Sequence, residues 1–448
     1  MWGKINTLGA GRIKNATKKN LKCVDLGGIP KNCFVNVLQG EPMKISELDK
    51  VLNTSYGIVN SLKWIDNERF VYIYNTGQSS YYVKIGHIAN GKIETGNSLM
   101  LYYASTEIYA TTGVFPDPYD DTNIFVAIGA SEAYGIGLFM LSADWQTLTL
   151  ASREHTNSFD ACDLRIGTEM YGNGYGGISG GFDSENVMWL SSCEGFFVVR
   201  VDRSSRTLSL LGEQRYAMNN GGGSHAVRIS AGLCLAIETN GSGDYYYAQM
   251  VRFTPAGAIT LGTSYRINEG NAGYRNCYPN TLLCTDLGTV LWLGEKHFYK
   301  ISYDSSNLTI TGLTSLYDIA VGTSQRGGFG RLATGEYYLA WRAPGAEVIQ
   351  LWIFTETSLG NFEIMVIYLD CADFIGRDAN LELNENGYGI MYPSVYNDGN
   401  AAGNRDAMIY GLFTTFDGVI NAVTNNYWFG ISRSSAEYGE DIEVEVLA

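Results

Sequence analysis

The sequence is poor in charged residues, which make up 17% of its 448 positions. A globular domain typically has about a quarter. Lysine and arginine number 31 against 46 aspartates and glutamates, so the formal net charge is −15. Proteins bind nucleic acids through basic surfaces, and this balance therefore argues against a nucleic acid as partner.

Long apolar segments are also missing. No stretch approaches the ~18 apolar residues of a membrane-spanning helix, and no apolar core of a secretory signal follows the basic N-terminus. We therefore expect no membrane span and no export by the ordinary secretory route. The eight cysteines include no C-x-x-C pair. We expect the cysteines in or beside apolar runs to be free buried thiols, as in proteins that fold in a reducing cytosol: Cys193, Cys234, Cys284 and Cys371.

Signatures of catalysis are few. The chain has four histidines and no G-x-S-x-G elbow from which a Ser/His/Asp triad could be argued. The sialidase-type Asp box is absent, since "SADWQTL" (142–148) does not match it. A glycosidase needs two carboxyl groups that face each other. None of the acids near expected loops stands out for that role, namely Asp183, Glu185, Asp244 and Glu385. We predict that the protein is not an enzyme.

Clustered oxygen ligands occur in two segments, "DPYDDTN" (117–123) and "NDGN" (397–400). Both could bind calcium, but both are also ordinary turn sequences. No histidine lies close enough to the cysteines to suggest a zinc site. We predict no bound metal and no cofactor.

Glycine is abundant, with 53 residues, and "MYGNGYGGISGGF" (170–182) has the spacing Gly172-x-Gly174-x-x-Gly177 of a dinucleotide-binding loop. Such a loop works when a helix begins directly after it, so that the helix N-terminus meets a pyrophosphate. Two glycines among the next five residues disfavour a helix. We predict instead that the glycines allow backbones to approach closely.

The sequence also has a strand pattern that recurs seven times at intervals of roughly 50 residues. Each unit has an apolar strand, a polar turn, a second apolar strand, a tight turn and a short strand, and a weaker strand precedes them. The apolar strands that begin the pattern are "RFVYIY" (69–74), "NIFVAIG" (123–129), "NVMWL" (186–190), "LCLAIE" (233–238), "TVLWLG" (289–294), "YYLAW" (337–341) and "YGIMY" (388–392). The seventh unit continues with "DAMIYGLF" (406–413) and the short "VINA" (419–422).

Four strands repeated seven times predict an all-β fold, a seven-bladed β-propeller of four-stranded antiparallel blades over residues 57–423. Such a sheet cannot bury both faces alone, but it can when it packs radially between neighbours. The alternative is a generic β-sandwich with irregular hairpins. Residues 1–56 would form a small N-terminal attachment segment, and residues 424–448 a C-terminal β-hairpin.

Two elements are predicted within the N-terminal segment. "KISELDKVL" (44–52) favours a helix, because its apolar residues Ile45, Leu48 and Leu52 fall on one side. "CFVNVL" (33–38) favours a strand, which could close the ring by completing a blade.

The two ends of the chain carry opposite charge. Residues 437–448 contain five acids and no base, and residues 1–22 contain six bases and no acid, namely Lys4, Arg12, Lys14, Lys18, Lys19 and Lys22. One interpretation is two solvated tails. The other is that the ends pair with each other or dock on a partner of opposite charge.

The C-terminal segment "NNYWFGISRSSAEYGEDIEVEVLA" (425–448) predicts a hairpin of "YWFGIS" with the strictly alternating "DIEVEV". It resembles the terminal "F-x-G-I-A…G-x-x-V-x-V" hairpin of many bacteriophage virion and tail-fibre proteins. The resemblance covers about 20 residues and departs from the pattern at Ser432, where alanine is usual. The matching residues are Phe429, Gly430, Ile431, Gly439, Ile442 and Val444.

This resemblance implies a structural component of a phage virion, in the tail or a fibre, made in the host cytoplasm and located in the particle. Its partners would be other virion proteins, within a homo- or hetero-oligomeric assembly, and a host surface glycan or receptor protein. Tyr171, Tyr175 and Tyr274 lie in connections expected to share one propeller face, and aromatic rings stack on sugars and anchor interfaces. We predict that they bind the ligand, although they could also merely cover the inner strands. The alternative function is that of a propeller-type polysaccharide hydrolase or lyase.

Overall fold

The computed structural model describes residues 17–23, 34–38, 58–66, 68–76, 80–89, 92–103, 110–130, 135–151, 162–166, 177–192, 195–216, 224–239, 245–268, 281–294, 297–318, 326–331, 336–342, 348–370, 379–383, 389–393, 418–420, 428–432 and 441–447. Within these ranges every regular element is a β-strand, and no helix occurs.

Strands β1 (Thr17–Cys23) and β2 (Phe34–Leu38) precede the repeats. Sheet 1 consists of β3 (Ile58–Trp64), β4 (Arg69–Thr76), β5 (Ser80–Ala89), β6 (Lys92–Thr95) and β7 (Leu99–Tyr103). Sheet 2 consists of β8 (Ala110–Pro116), β9 (Asn123–Ala130), β10 (Gly135–Asp144), β11 (Thr149–Leu150) and β12 (Leu164–Ile166). Sheet 3 consists of β13 (Ser179–Ser184), β14 (Val187–Ser192), β15 (Gly195–Asp202) and β16 (Thr207–Gln214).

Sheet 4 consists of β17 (Ser224–Ser230), β18 (Leu233–Thr239), β19 (Tyr246–Phe253), β20 (Ile259–Leu261) and β21 (Tyr265–Ile267). Sheet 5 consists of β22 (Leu282–Cys284), β23 (Val290–Leu293), β24 (His297–Asp304) and β25 (Thr309–Asp318). Sheet 6 consists of β26 (Arg326–Arg331), β27 (Tyr337–Arg342), β28 (Val348–Ser358) and β29 (Asn361–Asp370). The remaining strands are β30 (Ala379–Leu383), β31 (Gly389–Pro393), β32 (Gly418–Ile420), β33 (Trp428–Ser432) and β34 (Asp441–Leu447).

Each of the six sheets is an antiparallel meander whose strands pair in chain order. In sheets 1, 2 and 4 the fourth strand is split, so that two short strands pair with the third one; these additional strands are β7, β12 and β21. Strands β30 and β31 form a separate antiparallel pair. The prediction of an all-β chain built from four-stranded antiparallel sheets is confirmed.

The first strands of successive sheets contact one another, in the order β3, β8, β13, β17, β22 and β26. Strand β30 contacts β26 on one side and β3 on the other, so these contacts close into a ring. Sheets that share such a ring of inner strands have the arrangement of a propeller.

Apolar cores fill the seams between consecutive sheets. In sheet 3, for example, Met188 and Leu190 pack into a core with sheet 2, whereas Val187 and Trp189 pack into a core with sheet 4. The alternation follows from the two-residue period of a strand, which sends successive side chains to opposite faces. A two-layer sandwich buries only one face of each sheet, so this packing excludes the sandwich alternative.

The two ends of the chain form one closed five-stranded sheet, called here the terminal sheet, in the order β1, β32, β2, β33 and β34. Strands β33 and β34 pair antiparallel, with Phe429 opposite Leu447. Strands β1 and β34 also pair antiparallel, and their register places Lys18 opposite Glu445 and Lys22 opposite Asp441. The ends therefore pair with each other, which was one of the two interpretations of their opposite charge.

Two expectations about this region are wrong. "VINA" was expected to be the short strand of the seventh unit, but β32 pairs with β1 and β2 instead. "CFVNVL" forms β2 as a strand, but it pairs with β32 and β33 rather than completing a blade. The reason is the same in both cases, because a short apolar strand fits any free sheet edge and its own residues do not specify the partner. The expected helix at 44–52 and the expected strand at 406–413 lie outside the described residues.

The end of the glycine-rich segment leads into a strand. Gly177 and Ile178 are followed directly by β13, and the Ile178 amide donates a hydrogen bond to the carbonyl oxygen of Thr112 in β8 at 3.0 Å. A Cβ on Gly113 or Gly180 would collide with neighbouring backbone and side-chain atoms. Glycine here allows the inner strands to approach closely, and no helix N-terminus follows that could receive a pyrophosphate.

Candidate functional site

The predicted ligand-binding residues Tyr171, Tyr175 and Tyr274 lie outside the described residues, so their role stays a prediction. The sequence places them just before the starts of β13 and β22, which are inner strands of sheets 3 and 5. The described side chains near the starts of the inner strands form the candidate site.

A cluster of buried polar side chains lies in the seam between sheets 3 and 4, and we call it the Glu238 cluster: Ser191, Tyr216, Ser224 and Glu238. The Ser191 hydroxyl is 2.6 Å from the Tyr216 hydroxyl and 3.1 Å from that of Ser224. Ser224 is directly opposite Glu238 in the β17–β18 register, so both side chains lie on the same face of sheet 4. None of the four side chains is more than 3% exposed.

The carboxyl group of Glu238 has an unusual environment. Burial raises its pKa to about 8, so the group is protonated at neutral pH. Its Oε1 atom has no hydrogen-bond partner among the described residues. Trp189, two residues before Ser191 in β14, also has an indole Nε1 with no partner there. This end of the seam thus combines hydroxyl groups, a neutral acid and an unpaired donor.

A second polar group lies at the inner strands themselves. Lys63 of β3 forms an ion pair with Glu382 of β30 at 3.3 Å, and the Trp64 indole donates to the carbonyl oxygen of Glu382 at 3.1 Å. His225 of β17 is 3.2 Å from the Thr281 hydroxyl. Burial, and next the positive charge of Lys63, lower the pKa of His225 to about 3, so the imidazole is neutral at physiological pH.

Of the two described acids that were considered for glycoside hydrolysis, the carboxylate of Asp183 has structural partners and Glu185 is exposed. Asp183 accepts hydrogen bonds from the Arg228 side chain at 3.0 Å and the Gly232 amide at 2.8 Å, which joins sheets 3 and 4. Glu185 lies in an exposed turn, where its carbonyl oxygen accepts a hydrogen bond from Arg203. Asp244 and Glu385 lie outside the described residues.

The possible calcium segment 117–123 forms a turn whose acids are bound by neighbouring protein groups. Asp117 accepts two hydrogen bonds from Arg203, both at 2.7 Å. Asp120 accepts hydrogen bonds from Thr122 and Asn123, and Asp121 forms an ion pair with Arg69 at 3.0 Å. Within the described ranges no group of three or more His, Cys, Asp or Glu side chains could hold a metal ion. The other candidate, 397–400, lies outside them.

The expected free thiols are confirmed at Cys234, which is buried, and Cys284 is free and partly buried. Burial, followed by the negative charge of Asp183, raises the pKa of the Cys234 thiol. Such a thiol is a poor nucleophile, because the reactive species is the thiolate. Cys193 and Cys371 lie outside the described residues.

Sequence reasoning missed Glu238, Lys63 and Glu382. A signal for Glu238 was present, since it ends the apolar run "LCLAIE", and an acid directly continuing a buried strand has to find a partner or stay neutral. Lys63 and Glu382 are 319 positions apart, and nothing in either local sequence points to the other.

Comparisons with known proteins give similar folds but no family. No family model matches the chain, and no curated protein matches it. Among solved structures, a protein from Lactobacillus plantarum has a TM-score of 0.45 and 14% identity over 78% of this chain and 99% of its own. A periplasmic gluconolactonase from Pseudomonas aeruginosa has a TM-score of 0.45 and 12% identity, over 75% and 97%. A fucose-specific lectin from Aleuria aurantia has a TM-score of 0.38 and 8% identity, over 75% and 97%.

At these scores and identities the likeness carries no information about what this chain binds or does. The strand pairings and the seams between the sheets of the chain itself define its fold. Among the described residues, no helix is long and apolar enough to cross a membrane.

Proposed function

We propose that the chain is a seven-bladed β-propeller that serves as a structural and receptor-binding component of a phage virion, in the tail or a fibre. The count of seven is supported by the closed ring of inner strands, in which β30 supplies the seventh member between β26 and β3. Strands β30 and β31 would be the described part of the seventh blade.

The observation that carries the attachment role is the terminal sheet. Strands from both ends of the chain lie in one closed sheet, and among the described residues these strands pair with no strand of the six repeat sheets. A propeller needs no such sheet to complete the blades, so the sheet is available as a separate attachment module. The C-terminal hairpin within it is the segment that resembles phage virion proteins, and this resemblance is the support for placing the protein in a particle.

The receptor role is proposed for the propeller face at the starts of the inner strands, where Tyr171, Tyr175 and Tyr274 lie in the sequence. In the sequence, long connections precede these strand starts, and binding residues are common on such loops because a rigid scaffold positions them. The ligand would be a host glycan or a receptor protein, since stacking tyrosines suit both.

The experiment that tests the proposal is adsorption of the purified protein to host cell envelopes. We expect the triple variant Tyr171→Ser, Tyr175→Ser, Tyr274→Ser to lose at least ten-fold in binding. The matched control is Tyr119→Ser, because Tyr119 is 50% exposed but follows the opposite end of an inner strand. Equal binding by both variants would contradict the receptor face, and absence of the protein from purified particles would contradict the virion role.

The alternative function is that of a polysaccharide hydrolase or lyase. Incubation of the wild-type protein with envelope polysaccharides, followed by analysis of fragment size, separates the two. Depolymerisation would overturn the proposal of a non-enzymatic component, whereas binding with intact polymer is the expected result.

A further inference from the structure

We propose that the Glu238 cluster holds one buried water molecule, which bridges the Glu238 carboxyl group to the hydroxyl groups of the facing sheet. Ser191 and Tyr216 belong to the side of sheet 3, and Ser224 and Glu238 belong to sheet 4. The site therefore lies at a joint between two sheets and is independent of the proposed function.

The first step is a count of donors. Tyr216, Ser191 and Ser224 each carry one O–H donor and can accept further hydrogen bonds. Two hydrogen bonds join these three groups, at 2.6 and 3.1 Å. Tyr216 is also hydrogen-bonded to Ser224, so all three O–H donors can be used within the cluster. Each hydroxyl oxygen still has a lone pair that can accept a hydrogen bond from a further partner.

The second step is the position of Glu238. In the register of β17 and β18, Glu238 is paired with Ser224. Directly opposite side chains on one face of a sheet have Cβ atoms roughly 5 Å apart. Burial raises the pKa of the Tyr216 hydroxyl and the Ser191 hydrogen bond lowers it, and Glu238 lies close enough for its charge to raise that pKa as well. Yet no described hydroxyl is within hydrogen-bond distance of the Oε1 atom. Polar groups that face each other at such a separation are commonly bridged by water.

The third step is the cost of leaving the site unbridged. An unsatisfied polar group in a buried position is destabilising, and proteins satisfy most such groups with internal water that makes about three hydrogen bonds. A hydroxyl lone pair, the Oε1 acceptor and the carboxyl proton supply that number. Water is the ligand that fits, because Glu238 is only 3% exposed and Ser191 is fully buried, so a larger molecule has no access.

A bound cation is the competing occupant, and the protonation of Glu238 argues against it. A hard cation prefers an ionised carboxylate, whereas the carboxyl group here keeps its proton at neutral pH. The two occupants also differ in geometry, since hydrogen-bonded water lies at about 2.7–3.0 Å from oxygen and calcium at about 2.4 Å.

The test is a set of crystal structures at pH 6 of the wild type, Glu238→Gln and Glu238→Leu, at a resolution that places internal water. We expect one water within hydrogen-bond distance of Glu238 Oε1 and of at least one hydroxyl, retained in the glutamine variant and lost in the leucine variant. If the leucine variant does not fold, the wild-type and glutamine structures still show whether a water lies at Glu238 Oε1. A dry gap at Oε1, a protein group moved onto it, or an ion at about 2.4 Å would overturn the proposal.

Discussion

Glu238 and His225 are both buried, and burial disfavours the charged form of each. Their pKa values therefore move in opposite directions, to about 8 for Glu238 and about 3 for His225. A neutral acid and a neutral imidazole can coexist in the same sheet without a counter-charge. The consequence for stability differs in sign between the two groups.

For Glu238, the pKa is 4.5 in the unfolded chain and about 8 in the folded one. Between these values the unfolded state has lost its proton and the folded state keeps it, so stability falls as pH rises through this window. His225 contributes stability that is lost as pH falls below 6.5, so the effect of Glu238 is measured cleanly above that pH.

We predict that between pH 6.5 and 8 the wild type loses about 2 kcal/mol of unfolding free energy that Glu238→Gln does not lose. Urea denaturation at several pH values measures the difference. Glu213→Gln is the control, because Glu213 is exposed in sheet 3 and its variant should follow the wild type. Parallel curves for the wild type and Glu238→Gln would mean that Glu238 ionises normally.

Ion pairs between neighbouring sheets differ in how deeply they are buried. The carboxylate of Asp117 has no exposed surface and binds Arg203, whose side chain is 15% exposed. In another contact between neighbouring sheets, 5 and 6, Arg331 and Asp286 are 52% and 63% exposed. Removing one partner from a buried pair leaves an uncompensated charge, whereas water replaces a lost exposed partner.

We predict that Arg203→Gln lowers the unfolding free energy by about 3 kcal/mol and that Arg331→Gln lowers it by less than about 1 kcal/mol. Chemical denaturation of the two variants in parallel measures this. An equal effect of both substitutions would show that the Asp117–Arg203 contact is not desolvated.

Among the structural elements, a recurring contact joins the turn between the third and fourth strands to the preceding sheet, in sheets 2, 4 and 5. A Cβ on Gly96, Gly212 or Gly262 would overlap a carbonyl oxygen in the corresponding turn of the next sheet, at Leu148, Gly257 or Leu308. Leu148 and Leu308 themselves have positive φ angles of 51° and 53°. Glycine is required in these outer segments because the next sheet's turn occupies the space of a side chain.

We predict that Gly262→Ala destabilises the protein by about 2 kcal/mol or more, since the backbone of the next turn has to move. Gly312→Ala is the matched control in sheet 5, because a Cβ there meets nothing within 4 Å. We expect the control to be neutral or slightly stabilising, since alanine reduces the freedom of the unfolded chain. Thermal unfolding of both variants is the measurement, and similar melting temperatures would contradict the close contact.

The terminal sheet gives a second prediction at this scale. Its register puts Lys18 and Lys22 opposite Glu445 and Asp441, and like charges directly opposite each other are destabilising. We predict that Lys18→Glu with Lys22→Glu speeds hydrogen exchange in β1, and that adding Asp441→Lys and Glu445→Lys restores it. The effect should shrink at high salt. Failure of the second pair to restore protection would favour docking of the basic end on a partner.

The repeat could be predicted because its strands are strongly apolar and turn sequences separate them, so each unit is recognisable alone. Elements whose place in the fold depends on strands far away in the sequence could not be predicted. Strand β32 has the composition of a blade strand, and only its pairing with β1 and β2 places it in the terminal sheet. The Glu238 cluster likewise draws on both sheets that form its seam, so its members are not neighbours in the sequence.

At the scale of the whole molecule, ring closure joins segments far apart in the chain. Strand β30 contacts β3, and the Lys63–Glu382 ion pair and the Trp64 hydrogen bond cross the same junction. The terminal sheet contains strands from both ends of the chain. We propose that the terminal sheet serves as the attachment module and that the binding face lies at the starts of the inner strands.

The most direct test of this account is a cryo-EM map of the particle or assembly that contains the protein. We expect seven blades, with the seventh built from the region of β30 and β31, and with the terminal sheet buried against other subunits. We also expect Tyr171, Tyr175 and Tyr274 on a face that points outward. A free monomer whose terminal sheet is exposed, or a ring with another number of blades, would contradict it.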